Sequence, residues 1–258
     1  MRFASLGSGS RGNATLIESG DTLLLVDCGF AVKDTEDRLH RLAIEPADID
    51  AVLVTHEHTD HVSGVGAFAR KYQLPVWLTS GSLKAAVAAL GDLPDVHIFS
   101  NHDPFAVDGV AVEPIPVPHD AREPSQFLFG DGNVRVGLLT DVGSVTPHIC
   151  RVLNSAHALL LEFNHDETML RQGPYPEPLK RRIASPLGHL SNGQSAALLS
   201  AIDTSRLQHL VAVHLSQQNN THTIVRNSAA RVLGCDPDWI AIADQDTGLP
   251  WREVAATG

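Results

Sequence analysis

Short runs of consecutive apolar residues recur along this chain, and their length predicts buried strands. The clearest runs lie at residues 23–26, 51–54, 158–161 and 210–213. A strand that is apolar at every position has both of its faces covered, which is typical of α/β proteins. The pattern therefore predicts sheets that are packed on both faces.

Shorter or alternating apolar segments predict further strands, at residues 2–6, 14–18, 75–79, 96–99, 105–107, 110–117, 127–129, 134–140 and 240–243. Residues 131–133 (Asp-Gly-Asn) are typical of a tight turn, so the segments on either side are predicted to form a hairpin. Helical periodicity or Ala-rich composition predicts helices at residues 33–43, 64–72, 81–90, 145–153, 179–184, 193–201 and 221–233. Periodicity alone does not distinguish between the α/β layouts that this order allows.

Composition is that of a globular protein. The 258 residues are 43% hydrophobic and 19% charged, and they contain no linker or repeat, so we expect one domain over residues 1–258. No apolar run approaches the roughly 18 residues of a membrane span, and the N-terminus lacks the features of a signal peptide. The three cysteines, at positions 28, 150 and 235, form no close pair, which favours a reducing cytoplasm. Cys28 ends an apolar run, which favours packing over metal ligation.

The formal charge is −11, which argues against a broadly basic nucleic-acid-binding surface. It does not exclude a nuclease, because two divalent cations would add positive charge inside a cleft. Metal ligands themselves contribute to the acidic total.

Residues 55–61 (Thr-His-Glu-His-Thr-Asp-His) hold the densest set of potential metal ligands. They directly follow the apolar run 51–54, so His56, His58, Asp60 and His61 fall on the loop at the end of a strand. Imidazoles and a carboxylate at this spacing suit Zn²⁺, Mn²⁺ or Fe²⁺. The alternative is a polar surface turn.

His-x-His-x-Asp-His after a strand resembles the motif of the metallo-β-lactamase fold. The resemblance implies an αββα sandwich, an α/β fold with two facing sheets and helices outside them. It also implies two metal sites, the first with His56 and His58 and the second with Asp60 and His61. A flavodiiron branch has Glu at the position of His58, so the histidine here favours a hydrolase.

Three further strand ends carry polar residues that match the same family pattern. His119, Asp141 and His214 each follow a predicted strand. The resemblance assigns His119 to the first site, His214 to the second, and Asp141 as a bridge whose two oxygens can each bind one cation. Asp27 also ends a strand. It could accept an N–H from a ligand imidazole, or it could be a turn cap.

In a two-metal site, a water between the cations becomes acidic and acts as the nucleophile. This chemistry serves phosphodiesters, thioesters, lactones and lactams, so the metals alone do not identify the substrate. Zn²⁺ and Mn²⁺ both suit the all-N/O ligands, and Fe²⁺ is a further option.

The segment at 188–196 (Gly-His-Leu-Ser-Asn-Gly-Gln-Ser-Ala) resembles the His-containing element of the nucleic-acid-processing branch. The resemblance implies that His189 contacts the scissile phosphate or protonates the leaving oxygen, and that Glu162 orients it. An imidazole with a carboxylate partner stays protonated at higher pH, as a general acid requires. The candidate catalytic residues are therefore His189, Glu162 and Asp60.

Several segments together are similar to the bacterial YycJ/WalJ-type proteins, namely those at 7–13, 27–29, 162–166, 188–192 and 214–220. This similarity implies a cytoplasmic metal-dependent exonuclease that acts on DNA in the 5′→3′ direction. The similarity implies no protein partner and no contact with a membrane. Candidate substrate contacts are Ser8, Ser10 and Asn13 in a Gly/Ser loop that could offer N–H groups to an anion, and Asn192 and Asn219.

Two alternatives remain at this stage. A small-molecule hydrolase for cyclic phosphodiesters or thioesters would use the same ligands, and a non-catalytic module would keep the metals for stability. His165 could touch substrate or metal, or it could lie at the surface or behind the metal ligands. Residues 180–182 (Lys-Arg-Arg) could grip flanking phosphates or form a solvated helix face.

Overall fold

The computed structural model describes residues 1–256, and two seven-stranded sheets face each other within them. The first sheet contains the strands β1 (Arg2–Gly7), β2 (Ala14–Ser19), β3 (Thr22–Val26), β4 (Ala51–Leu53), β5 (Pro75–Thr79), β6 (Asp95–Phe99) and β14 (Leu249–Glu253). The second contains β7 (Phe105–Val107), β8 (Val110–Pro116), β9 (Ser125–Gly130), β10 (Arg135–Leu139), β11 (Ala158–Glu162), β12 (His209–Val213) and β13 (Ala241–Ile242).

Both sheets combine an antiparallel half with a parallel half. Their strand orders are β14-β1-β2-β3-β4-β5-β6 and β13-β12-β11-β10-β9-β8-β7. In the first sheet β3, β4, β5 and β6 are parallel, and in the second β10, β11, β12 and β13 are parallel. The two sheets therefore repeat one topology, with no repeat visible in the sequence.

Helices connect the strands. They are α1 (Val32–Arg41), α2 (Thr59–Val62), α3 (Val65–Tyr72), α4 (Ser80–Leu90), α5 (Pro147–Leu153), α6 (Glu167–Gln172), α7 (Glu177–Ile183), α8 (Asn192–Ala201) and α9 (His222–Leu233), and short 3₁₀ turns lie at Pro46–Asp48 and Pro237–Trp239. Within residues 1–256, none of these helices combines the length and the apolar character that crossing a bilayer requires.

Three apolar clusters show the layers. Leu24 of β3 packs in the cluster between the sheets with Phe127 of β9, whereas its neighbour Leu25 points outwards and packs with the helical residue Phe68. A third cluster joins the outer face of the second sheet to α5, α8 and α9. Because successive strand side chains point to opposite faces, a strand buried on both faces must be apolar throughout. The predicted αββα sandwich is confirmed.

Most predicted elements occur within a few residues of their expected bounds, with four differences. The expected strand at 240–243 shortens to β13. The strand β14, which was not predicted because it is short and contains a proline, closes the first sheet by pairing with β1 from the other end of the chain. The helix α6 was also missed, although Asp166 caps it by accepting the N–H groups of Thr168 and Met169. The expected helix at 64–72 is preceded by the single turn α2, which carries two of the candidate ligands.

The packing between the sheets predicts a large effect of one substitution. Phe127 is fully buried and its ring lies against Phe99 and Phe129. Phe127→Ala should lower the free energy of unfolding by about 3–5 kcal/mol, because it removes buried surface and leaves a cavity. Chemical denaturation would measure this. Val87→Ala, at a 62% exposed side chain, should change the free energy of unfolding by no more than about 0.5 kcal/mol. Equal effects of the two variants would contradict this description of the core.

Candidate metal centre

Strands from both sheets end at one edge of the sandwich and carry the candidate residues there. β8 and β10 are both antiparallel to β9, so they run in the same direction and end on the same side as β11 and β12. The backbone N–H of Ser125 donates to the carbonyl oxygen of Thr55 at 2.9 Å, which joins the end of β4 to the second sheet. The residues delivered to this edge are Asp27 after β3, His56 after β4, His119 after β8, Asp141 after β10, Glu162 at the end of β11 and His214 after β12.

The loop with Asp60 and His61 is fixed by backbone contacts from two other loops. The N–H of Asn13 donates to the carbonyl of Asp60, and the N–H of Cys28 donates to that of His61, each at 2.8 Å. A Cβ atom at Gly29 would overlap the carbonyl oxygen of Asp60, so this close approach requires glycine. The loops after β1 and β3 therefore set the position of the ligands on α2.

Three imidazoles form the first group. Nδ1 of His58 lies 3.0 Å from Nε2 of His56 and 3.2 Å from Nε2 of His119. Three nitrogens converging in this way are the donor set of a tetrahedral zinc-type site with one open position.

Asp60, His61 and His214 form the second group. An Asp60 carboxylate oxygen lies 3.4 Å from Nε2 of His214 and 3.6 Å from Nε2 of His61. Asp141 lies between the two groups, with one oxygen 3.1 Å from Nε2 of His61 and the other 3.9 Å from Nε2 of His119. The structure thus brings together all seven residues that the sequence suggested as ligands.

Oxygen acceptors hold the outer nitrogens of four of these rings. Nδ1 of His61 donates to Asp27 at 2.7 Å, Nδ1 of His119 to the carbonyl oxygen of Gly188 at 3.0 Å, and Nδ1 of His214 to Glu162 at 3.3 Å. The Thr55 hydroxyl donates to Asp27 and accepts from Nδ1 of His56. A neutral ring held in this way keeps its lone pair on Nε2, facing the centre, as metal ligation requires.

The electrostatics differ between the two groups. Burial lowers the pKa of His56 and His119, so these rings are neutral. Burial also acts to lower the pKa of His214, but Asp141, Asp60 and Glu162 outweigh it and raise the pKa to about 10. The buried carboxylates around the second group therefore stabilise a positive charge, which either a proton or a metal cation can supply. Divalent cations would compete with protons for these side chains, and the nitrogen and oxygen donors present are suited to binding them.

His189 and Glu162 form a hydrogen-bonded pair beside this centre. Nδ1 of His189 lies 2.8 Å from one Glu162 oxygen, and the other oxygen accepts the backbone N–H groups of Val142 and Leu190. Burial acts to raise the pKa of Glu162, but His189 and His214 lower it to about 2. Burial acts to lower the pKa of His189, but Glu162 and Asp141 raise it above its ordinary value.

A cleft of about 470 Å³ opens over the centre. Five of the candidate metal and catalytic residues line it, namely His58, Asp60, Asp141, His189 and His214. The cleft also contains residues that the sequence reasoning did not single out. Tyr175 is one, and its position between two prolines was the only sequence signal for it. Asn164, inside the segment at 162–166, is another.

The five candidate substrate contacts do not share one position. Ser10 is exposed and lines the cleft. The other four are buried and bonded inside the protein. Ser8 accepts the N–H of His214, Asn13 contacts His61, Asn192 exchanges two hydrogen bonds with Asn220, and Asn219 donates to Ser216. Their amides and hydroxyls support the loops of the site instead of facing the cleft.

His165 lies outside the cleft. Its ring is buried, bonds to Asn164, and borders a separate depression beside α6 and α7. Of the residues at 180–182, Arg182 alone lines the cleft.

Comparisons with known proteins agree with this architecture. Residues 22–215 match a family model described as the β-lactamase superfamily domain. The chain is 37% identical over 235 residues to exodeoxyribonuclease YycJ of Bacillus anthracis, covering 90% of this chain and 89% of that one. It is 34% identical over 264 residues to exodeoxyribonuclease WalJ of Streptococcus pneumoniae, covering 98% of both. The crystal structure of the metallo-β-lactamase-fold protein YhfI from Bacillus subtilis is 18% identical, with a TM-score of 0.74 over 97% of this chain and 98% of that one.

The family match covers most of the chain, and the two relatives match it over nearly their whole length at more than 30% identity. This chain therefore belongs to the β-lactamase superfamily and, within it, to the family of the YycJ and WalJ proteins.

Proposed function

We propose that this chain is a metal-dependent nuclease that removes nucleotides from DNA ends in the 5′→3′ direction. The observation that carries the proposal is the His189–Glu162 pair beside the two ligand groups, in a chain whose relatives are named exodeoxyribonucleases. A metal-binding module without catalysis would have no use for such a pair. The three cysteines of this chain form no disulfide, which is consistent with action in the cytoplasm.

In this proposal, His56, His58 and His119 would hold one divalent cation and Asp60, His61 and His214 a second, and Asp141, which lies between the two groups, would contribute to both. Zn²⁺ or Mn²⁺ suits these nitrogen and oxygen donors, and Fe²⁺ is an option. Bound cations would supply charge stabilisation for a phosphate and an acidified water as the nucleophile. Asp27 orients His61 through its Nδ1, which supports the ligand rather than the substrate.

His189 supplies the proton for the leaving group. Its Nδ1 is taken by Glu162, so Nε2 is the atom left to bond a phosphate oxygen or to protonate the departing one. Glu162 and Asp141 raise the pKa of His189 above its ordinary value, which is the direction that favours a proton donor. Asp60, which lines the cleft and bonds His214, completes the set of proposed catalytic residues.

Cleavage polarity can be tested with one duplex labelled at either end. Incubation of the metal-loaded protein with 5′-labelled DNA should release labelled mononucleotide at once, whereas 3′-labelled DNA should shorten progressively. The reverse pattern would contradict the 5′→3′ direction but would still support an exonuclease activity. Cleavage of a small phosphodiester or thioester, with no cleavage of DNA, would favour the small-molecule hydrolase instead.

Removal of the general acid should separate catalysis from metal binding. His189→Ala should lower the rate of DNA cleavage by about 10²–10⁴-fold, because positioned proton transfer contributes that much, while the metal content stays unchanged. Cleavage assays and elemental analysis would measure the two quantities. His148→Ala, at a ring outside the cleft, is the control and should keep wild-type activity. Wild-type activity of His189→Ala would refute the assigned role.

Metal removal should reduce both activity and stability. Chelation should abolish cleavage, and adding Mn²⁺ or Zn²⁺ back at about 100 times its Kd should stabilise the protein by about 2.7 kcal/mol, which raises the Tm by about 5–10 °C. Asp141→Asn should lose most of this shift, because the substitution removes the charge between the two groups. Asp95→Asn, at an exposed carboxylate on β6, should keep the full shift in a thermal melt. A full shift in Asp141→Asn would argue against a ligand role for Asp141.

A further inference from the structure

One wall of the cleft differs in chemistry from the metal centre. The turn before α7 and α7 itself contribute Tyr175, Leu179, Arg182 and Ile183 to the cleft. Residues 179, 182 and 183 lie on one face of the helix because their spacing follows its period. We call these four residues the α7 wall. It offers an aromatic ring, two aliphatic side chains and one guanidinium beside a floor of imidazoles and carboxylates.

In the part of the chain that the structure describes, neither a hydrogen bond nor a ring contact explains the position of Tyr175. Within residues 1–256 its hydroxyl makes no hydrogen bond and its ring stacks on no other ring, although the side chain is half-buried. Pro174 and Pro176 flank it and restrict the backbone. Gly173 lies so close to the Asn219 side chain that a Cβ atom there would clash with it, so this turn is packed against the loop after β12. The backbone that carries Tyr175 is therefore restrained before any ligand binds, which lowers the entropic cost of ordering this turn on binding.

We propose that Tyr175 stacks on the nucleobase at the cleaved end of the strand, and that this base is unpaired when it enters the cleft. The inference rests on the proposed nuclease function and specifies the state of its substrate. A base inside a duplex has both faces covered by its neighbours, so only an unstacked base offers a free face to a side chain. Stacking accepts every base, as an exonuclease without sequence preference requires.

Arg182 adds a phosphate contact at the same wall. Its Nε donates to Asp120 at 2.6 Å, and this pair lies beside the first ligand group, with Asp120 3.6 Å from Nε2 of His119. Lys180 bonds to the carbonyl oxygen of Arg171 and to Glu177, and Arg181 borders the depression outside the cleft. An aromatic ring and a cation in one groove are the two components that single-stranded nucleic-acid sites combine. The phosphate next to the stacked base would therefore contact Arg182.

The test uses three DNA duplexes that differ only in the terminal nucleotide at the cleaved end. In the first the terminal base is mismatched, in the second it is paired, and in the third it is absent from its sugar. The wild-type protein should cleave the mismatched end fastest. Tyr175→Ala should lower kcat/KM on the mismatched end by roughly 5- to 150-fold, the equivalent of losing one base–aromatic stack, and should leave the abasic end unchanged.

Two further variants separate the ring from the fold. Tyr175→Phe keeps the ring and should retain wild-type kcat/KM on all three ends. Trp239→Ala removes an exposed aromatic side chain far along the chain, in the turn Pro237–Trp239, and should also match the wild type. A second readout needs no catalysis. In a His189→Ala background loaded with metal, Tyr175→Ala should weaken binding of a short single-stranded oligonucleotide, with thermal melts confirming that both proteins are folded.

Either of two results would overturn the stacking role. One is an unchanged rate of Tyr175→Ala on the mismatched end, and the other is an equal loss on the mismatched and abasic ends. Failure of the underlying function looks different, because wild-type protein loaded with Mn²⁺ or Zn²⁺ would then cleave none of the three duplexes.

Discussion

The centre depends on the meeting of strand ends from two sheets at one edge. Each sheet has a parallel half, and parallel strands present their carboxyl ends on the same side. Asp27, Asp141 and His214 lie one or two residues after such strands, and all three have left-handed backbone conformations, with φ of 59°, 52° and 54°. Each left-handed conformation costs about 1–3 kcal/mol of folding free energy for a residue with a side chain. The surrounding sheets must supply that free energy, so the position of these side chains is a property of the whole sandwich.

Hydrogen bonds outside the ligands then decide which atom of each ring faces the centre. Asp27 holds His61 and also binds the backbone N–H and the hydroxyl of Thr55. Glu162 connects His189, His214 and two backbone N–H groups. One carboxylate therefore serves both the second ligand group and the proposed acid. A change at Glu162 would disturb metal binding and proton transfer together, which makes His189 the cleaner position for separating them.

Sequence alone predicts the parts of this site that depend on local order. A polar residue after a buried apolar run marks a strand end, which is how the sequence locates His119 and His214. Their assignment to two groups came from the family resemblance, because spacing does not reveal which strands are neighbours. Asn13, Asn192 and Asn219 show the same limit, since a Gly/Ser loop and segments similar to the family suggest them as substrate contacts. The structure buries all three, because loops that cross at a sheet edge leave backbone groups that need hydrogen-bond partners. Such burial depends on long-range packing, which the order of residues does not show.

An acidic chain can still bind a polyanion if its positive charge is concentrated where the backbone of the substrate passes. The net charge of −11 includes the carboxylates of Asp60 and Asp141, which bound cations would offset, and those of Asp27 and Glu162, which bond imidazoles of the centre. Arg182 is the basic side chain that reaches the cleft, and it is already paired with Asp120. Affinity for DNA should therefore come from the cations and from stacking more than from an extended basic surface, and its salt dependence should be correspondingly shallow. Such a balance suits an enzyme that holds one strand end at a time, because few phosphates need to be gripped and released in each step.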